Sequence, residues 1–340
     1  MTAMSFGAVN EMKSELKKLL WRRESLILLF LLVGYLIFFT ARIDKGGTYT
    51  NTDFAMQKFE AHQQEMVSTV ITLRNRAKAA PTEYIRADFE KAFNSYNVKY
   101  EFEPIDTVAV QSGLTLCSLS EINIAFLLLV ISLVSPVIAR EHECGMYQLL
   151  YTTEGGRARL FRQKLAAAFV LVCLISVVFT FSIFICIWQK RELSFSALSA
   201  PLQCMEMFYY CPFRLNILEY LLMLCVVRIL SAMIAVGLIF LLSTVFKNSF
   251  AVMGVSACLA GGLYYIPKIF KGTEHTLSKL GLLSLLDLQG YLSGYDTVNV
   301  FGVPVFSFVL MLLFTLTLTV SVFVLSYNIY CRERRSHNAA

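Results

Sequence analysis

"YLLMLCVVRILSAMIAVGLIFLLSTV", residues 220–245, decides the fold, because this long apolar run contains one charged residue, Arg228. A helix needs about 20 mostly apolar residues to cross the roughly 30 Å of hydrocarbon in a bilayer. Backbone polar groups find no partners in lipid, so a run of this kind must satisfy them internally, as a helix does. The stretch therefore predicts a transmembrane helix.

The rest of the chain repeats this pattern. Of its 340 residues, 56% are hydrophobic and 16% are charged, whereas soluble domains carry about 25% charged residues. No small-residue cleavage site follows the first apolar run, so we expect it to remain as an anchor. The sequence predicts an all-α polytopic membrane protein with six transmembrane helices, at residues 25–40, 122–139, 165–188, 220–245, 249–266 and 303–327.

Lysine and arginine near the ends of the spans predict the orientation, since cytoplasmic loops carry an excess of both. Basic clusters lie in residues 1–24, 140–164 and 328–340, and Lys247 lies between the fourth and fifth spans. With six spans, all of these segments face one side. We therefore expect a plasma-membrane protein with both termini in the cytoplasm. The net charge of +6 follows from this bias and gives no reason to expect a nucleic acid partner.

Four further segments lie outside the predicted spans. Residues 1–24 have an apolar stripe and a basic face, which is typical of an amphipathic interfacial helix. Residues 41–121 predict an external helical hairpin that is broken at Pro81, between spans 1 and 2. Residues 189–219 form an outer loop. Residues 267–302 are leucine-rich but too interrupted to span, so we expect an outer, partly re-entrant segment.

One polar stretch, "REHECGMYQLLYTTEGGRARLFRQK" at residues 140–164, separates the second and third spans. It resembles the corresponding segment of permeases in the type-2 ABC exporter family, with the same amphipathic start, six spans and outer segment around it. The family has a proline in the small turn, where this chain has Glu154-Gly155-Gly156, so the turn geometry differs. The matching positions, in order, are Arg140, Glu141, Glu143, Gly145, Leu149, Leu150, Thr152, Arg157 and Lys164.

The resemblance implies a permease subunit of an ATP-driven exporter, which works beside a second permease, identical or different. The implied partner is a cytoplasmic ABC ATPase dimer that holds ATP and Mg²⁺, because this chain has no G-x-x-x-x-G-K-[ST] phosphate loop. No cofactor and no enzyme activity of its own are therefore expected. The implied ATPase-coupling residues are Arg140, Glu141, Glu143, Gly145, Met146, Leu149, Leu150, Arg157 and Lys164. The alternative for Glu141 and Glu143 is a pair of solvated charges.

Arg228 is the second informative position, since an arginine at the centre of a span costs about 2.5–3.5 kcal/mol on insertion scales. We expect it to line the substrate path or to pair with a carboxylate such as Glu121 or Glu219. A snorkelling side chain is the alternative. Cys204 and Cys211 share one outer loop and form a candidate disulfide if the compartment is oxidising.

The aromatic content, 27 Phe and 16 Tyr, and the external hairpin favour an amphiphilic substrate, with a peptide as first choice. A rival interpretation is a peptide-sensing or resistance module that uses the same fold for signalling. A second rival, an intramembrane protease, is suggested by "GVSA" around Ser256. It is disfavoured because the four histidines, His62, His142, His275 and His337, all lie outside the predicted spans. No metal site is predicted.

Overall fold

The computed structural model describes residues 52–97, 107–137, 156–191, 195–246, 248–269 and 283–332, together with residues 30, 34 and 139. Most of these residues are helical. The elements are α1 Thr52–Lys78, α2 Glu83–Tyr96, α3 Thr107–Ser118, α4 Ser120–Val134, α5 Gly156–Arg191, α6 Ile217–Val245, α7 Ser249–Ile269, α8 Leu288–Leu292, β1 Thr297–Val300, β2 Val303–Phe306 and α9 Ser307–Arg332, with short 3₁₀ turns at Phe195–Leu198, Leu202–Cys204, Glu206–Phe208 and Ser284–Leu286.

Three helices in the described part of the chain are long and apolar enough to cross a membrane. They comprise Ala158–Ser182 of α5, Ile217–Val245 of α6 and Ser307–Tyr330 of α9, and two shorter apolar helices cover Glu121–Val134 and Ser249–Tyr265. The composition thus supports a membrane protein. Six spans stay a prediction. The interfacial helix over 1–24, the first span apart from residues 30 and 34, and the tail after 332 lie outside the described residues.

Helices α1 and α2 occupy the positions of the predicted hairpin. Pro81 follows the end of α1, because proline lacks the N–H that a continuing helix would need. Thr82 then caps α2, and its Oγ1 accepts a hydrogen bond of 3.4 Å from the Ile85 N–H. Phe59 of α1 and Ala92 of α2 are buried, so the two helices are held by a small apolar seam.

Helix α3 lies within the segment that was predicted to be entirely external. Its Val110, Leu114 and Cys117 are fully buried and belong to the same core cluster as the long helices. The backbone breaks at Leu119 before α4 begins. Helix α4 ends at Val134 because Pro136 follows Ser135. The apolar layer therefore starts earlier than the predicted boundary at residue 122.

Helices α5, α6 and α9 form the centre of the bundle. At 36 residues, α5 is about 54 Å long, and it begins at Gly156 rather than at the predicted residue 165. Helix α6 begins at Ile217 through a capping box, in which the Asn216 N–H donates to Oε2 of Glu219 at 2.9 Å. Gly237 allows α9 to approach α6, because a Cβ at this position would lie 2.8 Å from Cγ1 of Val322.

The predictions of an all-α fold and of a last span from residue 303 are wrong at one place. Strands β1 and β2 pair in antiparallel register, Val300 opposite Val303, and α9 begins only after them, at Ser307. Phe301 and Gly302 both have positive φ, 51° and 87°, as a two-residue hairpin turn of type I′ requires. Val303, Val305 and Phe306 are apolar enough to extend the hydropathy of the span, which is why hydropathy alone included them.

Ring and hydrogen-bond contacts define two ends of the bundle. At one end, Nζ of Lys91 in α2 donates to the Pro304 carbonyl at 2.6 Å, and the ring centroids of Phe213 and Phe306 lie 4.8 Å apart. At the other end, the Phe161 ring meets Phe240 at 5.3 Å and Tyr327 at 5.6 Å. The α1–α2 hairpin therefore lies at the end opposite to the start of α5, where the polar stretch 140–155 attaches.

Candidate functional site

Most of the predicted ATPase-coupling residues lie outside the described residues. These are Arg140, Glu141, Glu143, Gly145, Met146, Leu149 and Leu150. Arg157 falls in the first turn of α5, but its side chain is outside the described part. The role of all these residues stays a prediction. Lys164, the last residue of the motif, is the one whose side chain the structure describes.

Lys164 is 1% exposed, and its Nζ donates to the Val137 carbonyl at 2.7 Å. A buried ammonium must be compensated by hydrogen bonds, so this contact requires a fixed geometry. Val137 lies just before the polar stretch, and Lys164 lies in the third turn of α5. The contact therefore ties together the two ends of the segment 140–155.

Around this contact the long helices meet through aromatic rings. Phe161, one turn before Lys164 on α5, is 2% exposed. Its ring packs on Phe240 of α6 and on Tyr327 and Tyr330 of α9, at centroid distances of 5.3, 5.6 and 5.4 Å. A displacement of the start of α5 would therefore also shift the side chains that Phe161 contacts on α6 and α9.

Arg228 is fully buried in the bundle and bonds to neutral groups. Its Nη1 donates to Oγ1 of Thr180 on α5 at 2.7 Å. Its Nη2 donates to the Cys117 carbonyl at the end of α3 and to Oδ1 of Asn123 on α4 at 3.2 Å. The guanidinium also lies 5.2 Å from the ring centroid of Phe179, a cation–π distance. Arg228 thus joins α3, α4, α5 and α6.

The predicted carboxylate partners of Arg228 are wrong. Glu121 is exposed at the start of α4, and Glu219 is exposed and used by the cap of α6. Glu219 lies in the first turn of α6, nine residues before Arg228. At 1.5 Å per residue, the two are separated by about 13.5 Å along the helix axis. Instead, the network continues into the 283–287 turn before α8, where Nδ2 of Asn123 donates to the Leu286 carbonyl at 2.8 Å. A snorkelling side chain is also inconsistent with full burial.

The predicted disulfide between Cys204 and Cys211 is absent. Both residues are buried thiols, and Sγ of Cys211 donates to the Phe213 carbonyl at 3.5 Å. Burial raises the pKa of the Cys211 thiol to about 11, so it stays protonated at neutral pH. The two 3₁₀ turns of this loop are held instead by Gln203, whose Nε2 donates to the Phe213 and Cys211 carbonyls.

A groove of about 460 Å³ runs between α1, α2 and the turn that contains Gln203 and Tyr209. Its volume is in the range of ligand pockets, about 300–1,000 Å³. Apolar side chains form much of its wall, among them Phe59, Met66 and Phe93. Neither the motif nor the span pattern predicts this groove.

His62 lines this groove near one end of its α1 wall. Its ring stacks on Tyr209 at 4.1 Å and meets Tyr210 edge-on at 5.0 Å. Burial lowers the pKa of His62 below its ordinary value, and the Glu65 carboxylate, 3.8 Å from Nδ1, opposes this shift only in part. The imidazole is therefore neutral at pH 7. Burial likewise raises the pKa of Tyr96 to about 12, so its hydroxyl remains a donor, to the Tyr210 carbonyl at 3.2 Å.

Comparisons of the chain with models of protein families, with curated proteins and with solved structures gave no match. Three features of the described residues therefore bear on function. They are the Lys164 contact at one end of the bundle, the Arg228 network within it, and the groove at the other end.

Proposed function

We propose that this chain is the membrane-spanning permease subunit of an ATP-driven ABC exporter in the plasma membrane. Two permease subunits, identical or different, would work with a separate cytoplasmic ATPase dimer that binds ATP and Mg²⁺. The substrate class favoured by the aromatic composition is an amphiphilic molecule, with a peptide as first choice. The chain itself contributes the path through the membrane and the contact surface for the ATPase.

The observation that carries this proposal is the buried Lys164. A contact loop transmits motion only if both of its ends are fixed to the helices that must move. The hydrogen bond from Lys164 to Val137 fixes the ends of the 140–155 segment to each other. Phe161 then links the same point to α6 and α9. A push on the loop would be passed to three membrane helices together.

The burial of Ser256 argues against the intramembrane protease. Ser256 is 2% exposed, and its Oγ has no hydrogen-bond partner in the described part of the chain. A serine nucleophile needs an adjacent base. His62 lies in the groove at the outer end and not beside it. Nothing among the described residues would activate this hydroxyl.

The test is reconstitution. The chain is co-expressed with a candidate ABC ATPase from the same genome, and ATP hydrolysis and uptake of labelled peptide are measured in inverted vesicles. We expect the double variant Glu141→Ala/Glu143→Ala to insert normally but to lose ATP-dependent uptake. The matched control removes two exposed carboxylates of the hairpin, Glu60→Ala/Glu83→Ala, and should transport normally. Full transport by the first variant, or ATP hydrolysis by the purified chain alone, would refute the proposal.

The groove in the α1–α2 hairpin specifically favours a second candidate, a peptide-sensing module. In that case peptide would stimulate ATP hydrolysis or a signalling partner without being moved. The same vesicles separate the two functions, since an exporter accumulates labelled peptide in the lumen and a sensor leaves it outside.

A further inference from the structure

We propose that the groove between α1, α2 and the 203–210 turn binds a short extended peptide through its main chain and its apolar side chains. The proposal rests on the proposed function for its biological meaning, because it names an outer binding site for the same class of cargo. The binding itself requires only this chain, so it can be tested without the ATPase.

The groove follows one face of α1 over a length that suits an extended peptide. Its lining residues on this helix include Phe59, Met66, Val70 and Arg74, which recur at the three- and four-residue spacing of a single helical face. From Phe59 to Arg74 the helix rises about 22 Å. An extended chain rises about 3.3 Å per residue, so about six to seven residues match this length.

The apolar wall provides the attraction. Val67 and Ile71 line the groove and are each 55% exposed, so their side chains offer apolar surface that a ligand can bury. Burying such surface contributes roughly 25 cal/mol per Å². In an extended peptide alternate side chains point to the same face, so every second residue would enter the groove and the others would face solvent.

Two polar atoms of the groove lining lack hydrogen-bond partners among the described residues. They are Nε2 of His62 and Oε1 of Gln203, and both are shielded from water. The His62 side chain is 10% exposed, and Gln203 is 3% exposed. The orientation of the Gln203 amide is determined by its Nε2, which donates to two backbone carbonyls. Its Oε1 is therefore the acceptor that remains unsatisfied.

A buried polar atom without a hydrogen-bond partner destabilises the empty groove, so a ligand that supplies the missing partners gains affinity. Oε1 of Gln203 needs an N–H donor. Nε2 of the neutral His62 ring needs a donor or an acceptor, depending on its tautomer. A peptide group carries both an N–H and a C=O and so satisfies either case. An acyl chain or a carboxylate has no N–H, which favours a peptide over a lipid.

Arg74 adds a charge at the far end of the groove. A guanidinium binds carboxylates in a bidentate manner. We therefore place the C-terminal carboxylate of the peptide near Arg74, about 18 Å along α1 from His62, twelve residues at 1.5 Å each. The opposite direction of binding would put the peptide's ammonium group beside Arg74 and is disfavoured.

The test uses the full chain in lipid nanodiscs and a fluorescein-labelled hexapeptide of alternating leucine and serine with a free C-terminal carboxylate. Fluorescence anisotropy should show saturable binding. Val70→Asp places a charge in the apolar wall and should weaken binding at least about tenfold, since one carboxylate in an apolar site costs more than 1.4 kcal/mol. Thr72→Asp, on the exposed face of the same helix, should bind as the wild type does.

Three further variants test the polar contacts of the groove. His62→Phe keeps the stacking on Tyr209 and removes Nε2, so binding should weaken several-fold. Arg74→Ala should weaken binding of the carboxylate peptide but not of its C-terminal amide. Arg76→Ala removes an exposed arginine of the same helix that does not line the groove, and it should have no effect.

Three results would overturn the proposal: no saturable binding to the wild-type chain, equal binding by Val70→Asp, or displacement of the hexapeptide by decanoate at lower concentration than by unlabelled hexapeptide. Peptide binding without ATP-driven uptake in the reconstituted complex would leave the groove assigned and refute the exporter. Uptake of a peptide by a complex that does not bind the hexapeptide would refute the groove alone.

Discussion

Replacing Arg228 by methionine tests whether the buried guanidinium holds the bundle together. Arg228→Met keeps an unbranched side chain of similar length and removes all of the donors. Three hydrogen bonds are lost, to Thr180, Cys117 and Asn123. The Cys117 carbonyl and the Asn123 amide oxygen lose a donor in a place that water does not reach.

The magnitude follows from the three contacts. Hydrogen bonds between membrane helices average about 0.6 kcal/mol and reach about 1.7 kcal/mol, while bonds to charged groups in soluble proteins contribute roughly 1.5–3 kcal/mol. Since Arg228 is enclosed by protein, about 1 kcal/mol for each bond is a reasonable value. The Thr180 hydroxyl can still bond within its own helix. We therefore expect a net loss of about 2 kcal/mol in the free energy of unfolding.

A thiol-reactive dye provides the assay, because Cys117 and Cys225 are buried close to the network. Unfolding exposes these thiols, and the fluorescence of the dye reports the transition in nanodiscs. For a chain of 340 residues, a loss of 2 kcal/mol corresponds to a fall of about 3 °C in the midpoint. Arg76→Met, which removes an exposed arginine, is the matched control and should leave the midpoint unchanged.

Arg228→Lys decides between the charge and the shape of the side chain. A lysine keeps the positive charge, but its single nitrogen does not reproduce a planar fork that meets α5 on one side and α3 and α4 on the other. We expect Arg228→Lys to be nearly as destabilised as Arg228→Met. A lysine variant with the wild-type midpoint would refute the reasoning about the fork, and a methionine variant with that midpoint would refute the clamp.

Three further predictions use the same dye or the vesicle assay. Lys164→Met should abolish most of the ATP-dependent uptake while lowering the unfolding midpoint only slightly. Arg162→Met, which replaces an exposed neighbour on α5, should change neither quantity. Equal uptake by both variants would contradict the coupling role of Lys164. Gly237→Ala should lower the unfolding midpoint, because the new Cβ would lie 2.8 Å from Val322. Gly254→Ala should leave it unchanged, because a Cβ there has nothing within 4 Å. Equal midpoints for the two variants would contradict the close packing of α6 and α9. Burial lowers the pKa of His62 in the folded chain below the ordinary 6.5. The unfolded chain therefore binds the proton first as pH falls. The hairpin should keep its stability above about pH 6.5 and lose stability below it. Hydrogen exchange of α1 at pH 7.5 and 5.5 measures this, and His62→Phe should remove the difference; a wild-type hairpin equally protected at both values would show that the histidine does not contribute.

The sequence predicted well those elements whose signals are local. The apolar run around Arg228 gave α6 to within three residues at its start. Pro81 gave the break between the two helices of the hairpin. Each of these follows from neighbours along one helix, where hydrophobic periodicity and chain-breaking residues act directly.

The parts that failed depend on contacts between distant segments. The partners of Arg228 come from α3, α4 and α5, up to 111 residues away, whereas the sequence suggested a carboxylate such as Glu121 or Glu219 as the partner. The groove needs the turn at Gln203 and Tyr209 to cover α1, which no periodicity within α1 shows. The valines of the β-hairpin made its sequence look like part of the last apolar span. The alternation of Val298 and Val300 with the polar Asn299, followed by the turn residues Phe301 and Gly302, could have predicted the hairpin.

The length of α5 has a mechanical consequence. A straight rod of about 54 Å exceeds the roughly 30 Å of hydrocarbon by nearly half of its own length, so part of it must project into water or lie at a steep tilt. If the Phe161 rings act as a pivot near one tip, a swing of about 5° displaces the opposite tip by nearly 5 Å over that length. A modest push at the near tip would thus become a larger displacement of the far tip.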